Sequence, residues 1–323
     1  MMTIPSLNSP QWAPRKGKQD LFFSSLDLLV ADPQRRDPLY TTVGCSNSAW
    51  LDYIHSLPTN LRSEASALRR MGQCVELIEE KGRCYYCWFH QSICVCAMIR
   101  ALAGVGGTGG SPPSLQFTIL MHPREFSRAS NTGKILGLLF GAEVLVPWLP
   151  NTEKRLRELQ NLWGAELCVM YPQAVAFEVS PLGAEEGEKG CCPIRRFSHV
   201  ILIDATWNEA SKLNRMISPD IPRVAISPEF MSRYTSLFAP LRDRSRESGV
   251  STAEAAALLL RQPACVEAVM QSMRIMVDAL CLEKCVRPLP YGVLSEDYIR
   301  FAHVAKLERQ DIARGRLDKK SAN

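Results

Sequence analysis

The stretch His199-Val-Ile-Leu-Ile-Asp204-Ala-Thr-Trp-Asn208 decides the fold. A short apolar run ends in a carboxylate, a hydroxyl and an indole, and helical periodicity then begins at Asn208 and runs to Met216. This is a strand feeding a helix. The same alternation recurs upstream, with strand-like runs at 115–121, 143–147 and 167–171 and helical patterns at 131–140 and 153–163, and downstream with a strand at 223–226. Strands separated by helices of this length pair in parallel through crossover connections. The expected class is therefore α/β, a mostly parallel sheet with helices on both faces.

Outside that unit the pattern changes. Six prolines fall between Pro5 and Pro58 with little apolar periodicity, so residues 1–60 read as an irregular extension. From 63 to 81 the positions Ala67, Leu68, Met71, Val75 and Ile78 recur at spacings of three and four, a helix that leads into a cysteine cluster. The division expected is an extension (1–60), a helix with a four-cysteine segment (61–103), a Gly/Pro-rich linker (104–113), the α/β domain (114–290) and a C-terminal helical tail (291–323). The loop 183–190 reads as polar, and 252–286 as helical, with Met270, Met273 and Met276 as core filler.

The 323 residues are 46% hydrophobic and 22% charged, enough apolar surface for a real core and no sign of wholesale disorder. No apolar run approaches the roughly 18 residues that cross a bilayer, so no membrane partner is expected. The net charge of +5 is unevenly placed: residues 195–246 carry nine basic and five acidic side chains. That stretch reads as solvated surface or as a footprint for phosphates.

Twelve cysteines without a continuous apolar leader argue against a secreted disulfide scaffold and for a reducing intracellular compartment, cytoplasmic or nuclear. The first nineteen residues lack acidic side chains and include Arg15, Lys16 and Lys18, as a transit peptide would, but Pro5, Pro10 and Pro14 oppose an amphipathic helix there. Cys84, Cys87, Cys94 and Cys96 stand as C-x2-C-x6-C-x-C, four thiolates close enough in the chain to enclose one tetrahedral Zn2+ at low entropic cost. A redox dithiol and coincidence are the alternatives. A closed four-thiolate shell has no open position for substrate, so the zinc would be structural, and His90 a bystander.

Two loops carry the remaining chemistry. His122-Pro-Arg-Glu125 follows the first strand, and Ser130-Asn131-Thr-Gly133 heads the next helix, with Ser130 or Asn131 as its N-cap. In open α/β sheets ligands bind beyond the carboxyl ends of strands, where such loops gather. Asp204 is either a carboxylate favoured by the helix dipole or a group that binds or removes a proton, and Trp207 either a core aromatic or a stacking surface.

Taken together, the cysteine cluster, Leu120-Met-His-Pro-Arg-Glu125 with Asn131-Thr-Gly133, the D-x-T-W of 204–207, and Ser248-Gly-Val-Ser-Thr-Ala-Glu254 before an alanine and leucine run resemble the DTW-domain family, the tRNA-uridine aminocarboxypropyltransferases, in that family's order. The resemblance spans roughly residues 84–262. It departs at His90, Ala205 and Ser251, where the family often has proline, glycine and cysteine. It implies a SPOUT-like, knotted fold with S-adenosylmethionine as co-substrate, bound in the knotted loops. It also implies transfer of the 3-amino-3-carboxypropyl group to N3 of a tRNA uridine. Under it Asp204 is the candidate to accept the N3 proton or orient the base. Asn131, Thr132, Thr206, Trp207, Ser251, Thr252 and Glu254 are candidates to hold S-adenosylmethionine, and Arg124, Lys212 and Arg215 to bind tRNA. The rivals are a SPOUT-type RNA methyltransferase and a non-catalytic zinc-containing RNA-binding module. Oligomeric state is not legible.

Overall fold

A computed structural model describes residues 47–105, 113–149, 152–172, 176–179, 193–238 and 250–284. The strands are β1 (Gln116–Met121), β2 (Glu143–Leu145), β3 (Leu167–Met170), β4 (Phe177–Val179), β5 (His199–Asp204) and β6 (Arg223–Ile226). They form one sheet in the order β2-β1-β5-β3-β6-β4, every pair parallel. The α/β expectation holds, with helices on both faces as crossover connections require.

The helices are α1 (Asn47–Ser56), α2 (Thr59–Glu80), α3 (Cys96–Val105), α4 (Gly133–Phe140), α5 (Thr152–Trp163), α6 (Trp207–Asn214), α7 (Pro228–Arg233), α8 (Thr252–Leu259) and α9 (Pro263–Lys284). Strand side chains alternate between two apolar clusters. Phe117, Ile119, Met121, Val200 and Leu202 join the cluster that contains residues of α2, α3, α4, α8, α9 and the cysteine segment. Leu120, Ile201 and Val169 join Leu156 and Leu159 of α5 and Leu213 of α6 on the other face. Central strand β5 is thus clothed on both sides, which is why it reads as a nearly unbroken apolar run.

Four readings need correction. Residues 1–60 are not wholly irregular, because α1 occupies Asn47–Ser56 and α2 begins at Thr59. The 252–286 helix is two helices, broken after Leu259 and restarted at Pro263, where the ring costs no hydrogen bond in the first turn. Strand β4 was not foreseen. The N-cap of α4 is Thr132 rather than Ser130 or Asn131, although the Asn131 Oδ1 accepts the Lys134 N–H at 3.4 Å. The methionine reading holds at Met273 and Met276, which are buried. Most of the 104–113 linker, the 183–190 loop, residues 1–46 and the 291–323 tail lie outside the described residues. No helix among the described residues is long and apolar enough to cross a membrane.

Candidate active site

β1 and β5 run side by side with Met121 opposite Asp204, and the His122 N–H donates to the Asp204 carbonyl at 2.9 Å. Both strands therefore end at one level, and the polar residues that follow them collect at the carboxyl edge of the sheet. The alternation of side chains divides those residues between the two faces. Asp204 has the parity of Val200 and Leu202 and meets α4. Its Oδ2 accepts from the Asn131 Nδ2 at 2.8 Å, and it is buried. A Cβ at Gly133 would collide with the same Oδ2 and crowd Ile119, so glycine lets the helix lie directly against the carboxylate.

His122 follows β1 on the opposite parity and meets α6. Its Nδ1 accepts the Arg124 N–H at 3.2 Å. An amide can only donate, so the neutral ring carries its proton on Nε2. The Glu209 Oε2 stands 3.6 Å from Nδ1, too far for a hydrogen bond. Burial lowers the His122 pKa, Glu209 opposes, and Arg124, Lys212 and Arg128 lower it further. Burial works against ionising Glu209, but the Thr206 hydroxyl, which donates to Oε2 at 2.8 Å, together with His122 and Arg124, holds its pKa below the ordinary value. Arg124 pairs with Glu209 at 2.9 Å while its side chain stays 70% exposed. Trp148 stands edge-on to His122, with ring centroids 5.6 Å apart.

A third segment completes the corner. The Ala253 N–H at the start of α8 donates to the Thr132 Oγ1 at 3.2 Å, so the turn before α8 joins the loop that carries Asn131. Ser251 and Glu254 form a reciprocal capping box. The Glu254 carboxylate is fully buried and accepts from the Ser236 hydroxyl, the Tyr234 hydroxyl and the Leu237 and Ser251 N–H groups. Burial and then Glu254 raise the Tyr234 pKa. Glu254 thus shapes the turn instead of presenting a carboxylate to a ligand. Thr252 is half-buried, while Thr206 and Trp207 are exposed, Trp207 at 44%.

Of the residues expected to hold tRNA, Arg124, Lys212 and Arg215 are all exposed. Arg223, counted in the basic stretch, is buried and donates to the carbonyls of Ser218, Ile221, Asn214 and Ile217, so it serves the fold and is withdrawn as a phosphate ligand. His122 stood in a quoted motif without a role of its own, and Glu209 and Trp148 were not singled out from the sequence. The position of His122 directly after the first strand was the available signal, whereas Glu209 entered only the charge count of 195–246.

The four cysteines lie beneath this corner. Their Sγ atoms fall within 4.8 Å of one another, with Cys84 to Cys96 at 3.6 Å and Cys87 to Cys94 at 3.7 Å. Zinc–sulfur bonds of about 2.3 Å give tetrahedral edges of about 3.8 Å, so the cluster can hold a metal ion such as zinc. His90 instead caps the short turn Gln91–Ile93, its Nδ1 accepting the Ser92 N–H at 3.2 Å. Lys134, in the first turn of α4, is fully buried. Its Nζ donates to the carbonyls of Cys87 and, at 2.7 Å, Ala129, and lies over the Phe89 and Trp88 rings at 4.7 and 5.0 Å. Burial draws its pKa down to about 8 against the pull of Cys87, Cys96, Glu283 and Cys84. Trp88, Ser127 and Trp148 have positive φ without being glycine. Each borders this region, and backbone strain of that kind collects at functional sites.

No curated protein and no solved structure matches the chain. The family model described as the DTW domain matches residues 81–283, from the edge of the cysteine cluster to the end of α9. With the cysteines, the loop after β1, the D-x-T-W corner and the turn before α8 all inside that match, the chain belongs to the DTW-domain family, a family of tRNA-modifying transferases.

Proposed function

We propose that the protein transfers the 3-amino-3-carboxypropyl group of S-adenosylmethionine to N3 of a uridine in tRNA, releasing 5′-methylthioadenosine. The observation that carries the reading is the meeting of Asp204 with Asn131 at 2.8 Å, within a corner closed by Thr132 and the turn before α8. When bound, S-adenosylmethionine supplies a sulfonium-activated carbon, and the protein's task is to select which carbon faces the nucleophile. The residues present fit such a group. Thr206, exposed Trp207 and half-buried Thr252 would hold it from the open side, while Asn131, Thr132, Ser251 and Glu254, all buried, fix the backbone of the turns around it. The knotted, SPOUT-like arrangement of those loops belongs to the same proposal.

Asp204 is the acceptor for the uridine N3 proton or the group that orients the base. The Nδ1 of His122 is engaged by the Arg124 amide, so that ring offers a donor at Nε2 and not a second base. Arg124, Lys212 and Arg215 are exposed for contact with tRNA phosphates. Zn2+ on Cys84, Cys87, Cys94 and Cys96 is structural, and residues 114–290 form the catalytic unit. A reducing compartment, cytoplasmic or nuclear, belongs to the same reading, because it keeps the four metal-binding thiolates reduced.

The test is to incubate purified protein with S-adenosylmethionine and unmodified tRNA and to identify the released small molecule by mass spectrometry. Methylthioadenosine is expected, together with an aminocarboxypropyl-uridine among the tRNA nucleosides. Adenosylhomocysteine would identify a methyltransferase instead. Neither product, with tRNA binding intact, would leave a binding module.

A further inference from the structure

Lysine is among the residues least often fully buried, and its ammonium needs partners wherever it is. Lys134 finds them in two separate segments. One acceptor is the carbonyl of Cys87, inside the cysteine cluster; the other is the carbonyl of Ala129, two residues before Asn131. The aromatic faces of Trp88 and Phe89 close over the ammonium from the cluster's side. A second contact runs parallel, with Trp88 packed on Phe126 of the loop after β1, ring centroids 4.8 Å apart. The metal-binding segment and the loop bearing Asn131 and Thr132 are therefore fastened to each other at two points, and one of them is a buried cation beside a group that becomes doubly negative when four thiolates hold Zn2+.

We infer that Lys134 is a positioning residue that couples the four-cysteine centre to the cofactor loop, so that metal occupancy sets the order of residues 122–133 and through it the affinity for S-adenosylmethionine. Metal binding and local folding are one equilibrium in short cysteine segments. A segment that has lost its metal no longer holds the Cys87 carbonyl in place, and the ammonium loses one of its two anchors. The loop then gains freedom at Ala129, next to the residues that hold Asp204 and the turn before α8. The affinity part rests on the function proposed above, and the loop-order part does not.

The experiment is hydrogen exchange followed by mass spectrometry on the full chain, zinc-loaded and after chelator treatment, for wild type, Lys134→Met and Lys134→Arg. Calorimetric titration with S-adenosylmethionine accompanies it. In wild type, metal removal should raise exchange both in peptides covering 82–96 and in those covering 123–134, by about tenfold or more, while the strands 167–170 and 223–226 stay protected. Zinc-loaded Lys134→Met should show the increase in 123–134 with 82–96 still protected, and Lys134→Arg should recover part of the protection. Cofactor affinity should fall about tenfold wherever 123–134 loosens.

Unchanged exchange at 123–134 after metal removal overturns the coupling, as does an increase spread equally through the sheet. Wild-type exchange there in zinc-loaded Lys134→Met overturns the role of Lys134. If Lys134→Met does not fold, the wild-type metal arm decides the coupling and Lys134→Arg decides the residue, since a cation that restores neither zinc retention nor protection overturns its assignment. Failure of wild type to bind S-adenosylmethionine at all counts against the proposed function and leaves the exchange result standing.

Discussion

At the scale of single residues the proposed chemistry turns on Asp204 and the space beside it. Asp204→Asn keeps shape and an acceptor oxygen for Asn131 but removes the charge, so the protein should stay folded and metal-loaded while methylthioadenosine formation falls by about 100 to 10,000-fold. Near-normal turnover would remove Asp204 as the proton acceptor. Gly133→Ala reaches the same carboxylate from the other side. The added methyl must displace the Asp204 Oδ2, which should cost about 1 to 3 kcal/mol at most in stability but a disproportionate share of the rate. Denaturant unfolding and product formation, measured on one preparation, separate the two effects. Asp204 and the cysteines could be found from sequence because each sits in a contiguous motif whose residue types have few other uses. Lys134 and Glu209 could not. Lysine and glutamate on a helix default to solvent, and only the tertiary fold reveals the carbonyls that surround one and the His122, Arg124 and Thr206 that surround the other.

At the scale of elements, α6 leads away from the corner and exposes Lys212 in its last turn and Arg215 just after it. Removing both charges should weaken tRNA binding and flatten the dependence of log affinity on log salt by about one unit per lost contact. An unchanged slope would assign them to solvated surface. Arg223→Ala is the control. It strips donors from four carbonyls, two of them in buried hydrogen bonds, so it should lower the melting temperature and leave the slope intact. Long periodic elements were legible, α2, α4 and α5 among them. The three-residue strand β4 was not, because Phe177–Val179 is too short to show alternation and gains its identity from pairing with β6. Helix α1 was hidden for a different reason: the prolines around it outweighed a short, weakly patterned segment.

At the scale of the whole molecule, acid stability should depend on the end of the sheet remote from the corner. His199, at the start of β5, is buried between Thr118 and Trp163, its Nε2 2.9 Å from the Thr118 hydroxyl. Burial, and then Arg155, depress its pKa from the ordinary 6.5 to about 4. The unfolded chain therefore binds a proton that the folded chain refuses between those values. Stability from this group is complete above about pH 6.5 and is lost as pH falls toward 4, by about 2 kcal/mol between pH 7 and pH 5. Urea midpoints across that range should show the decline in wild type, and His199→Leu should flatten it.

The placement of β5 between β1 and β3 also bears on how the molecule comes into being. The cysteine cluster lies within thirteen consecutive residues, so a growing chain can bring the four thiols together early, by local encounters. The Asn131 to Asp204 pair spans 73 residues, and the Thr132 to Ala253 contact spans 121. Non-local pairings of that kind form slowly. During synthesis β1 must wait, with one edge open, until β5 has left the ribosome. Until then the segment that can already be shaped is the compact four-cysteine one, which shares an apolar cluster with Phe117, Ile119 and Met121 of the strand that most needs shielding from other chains.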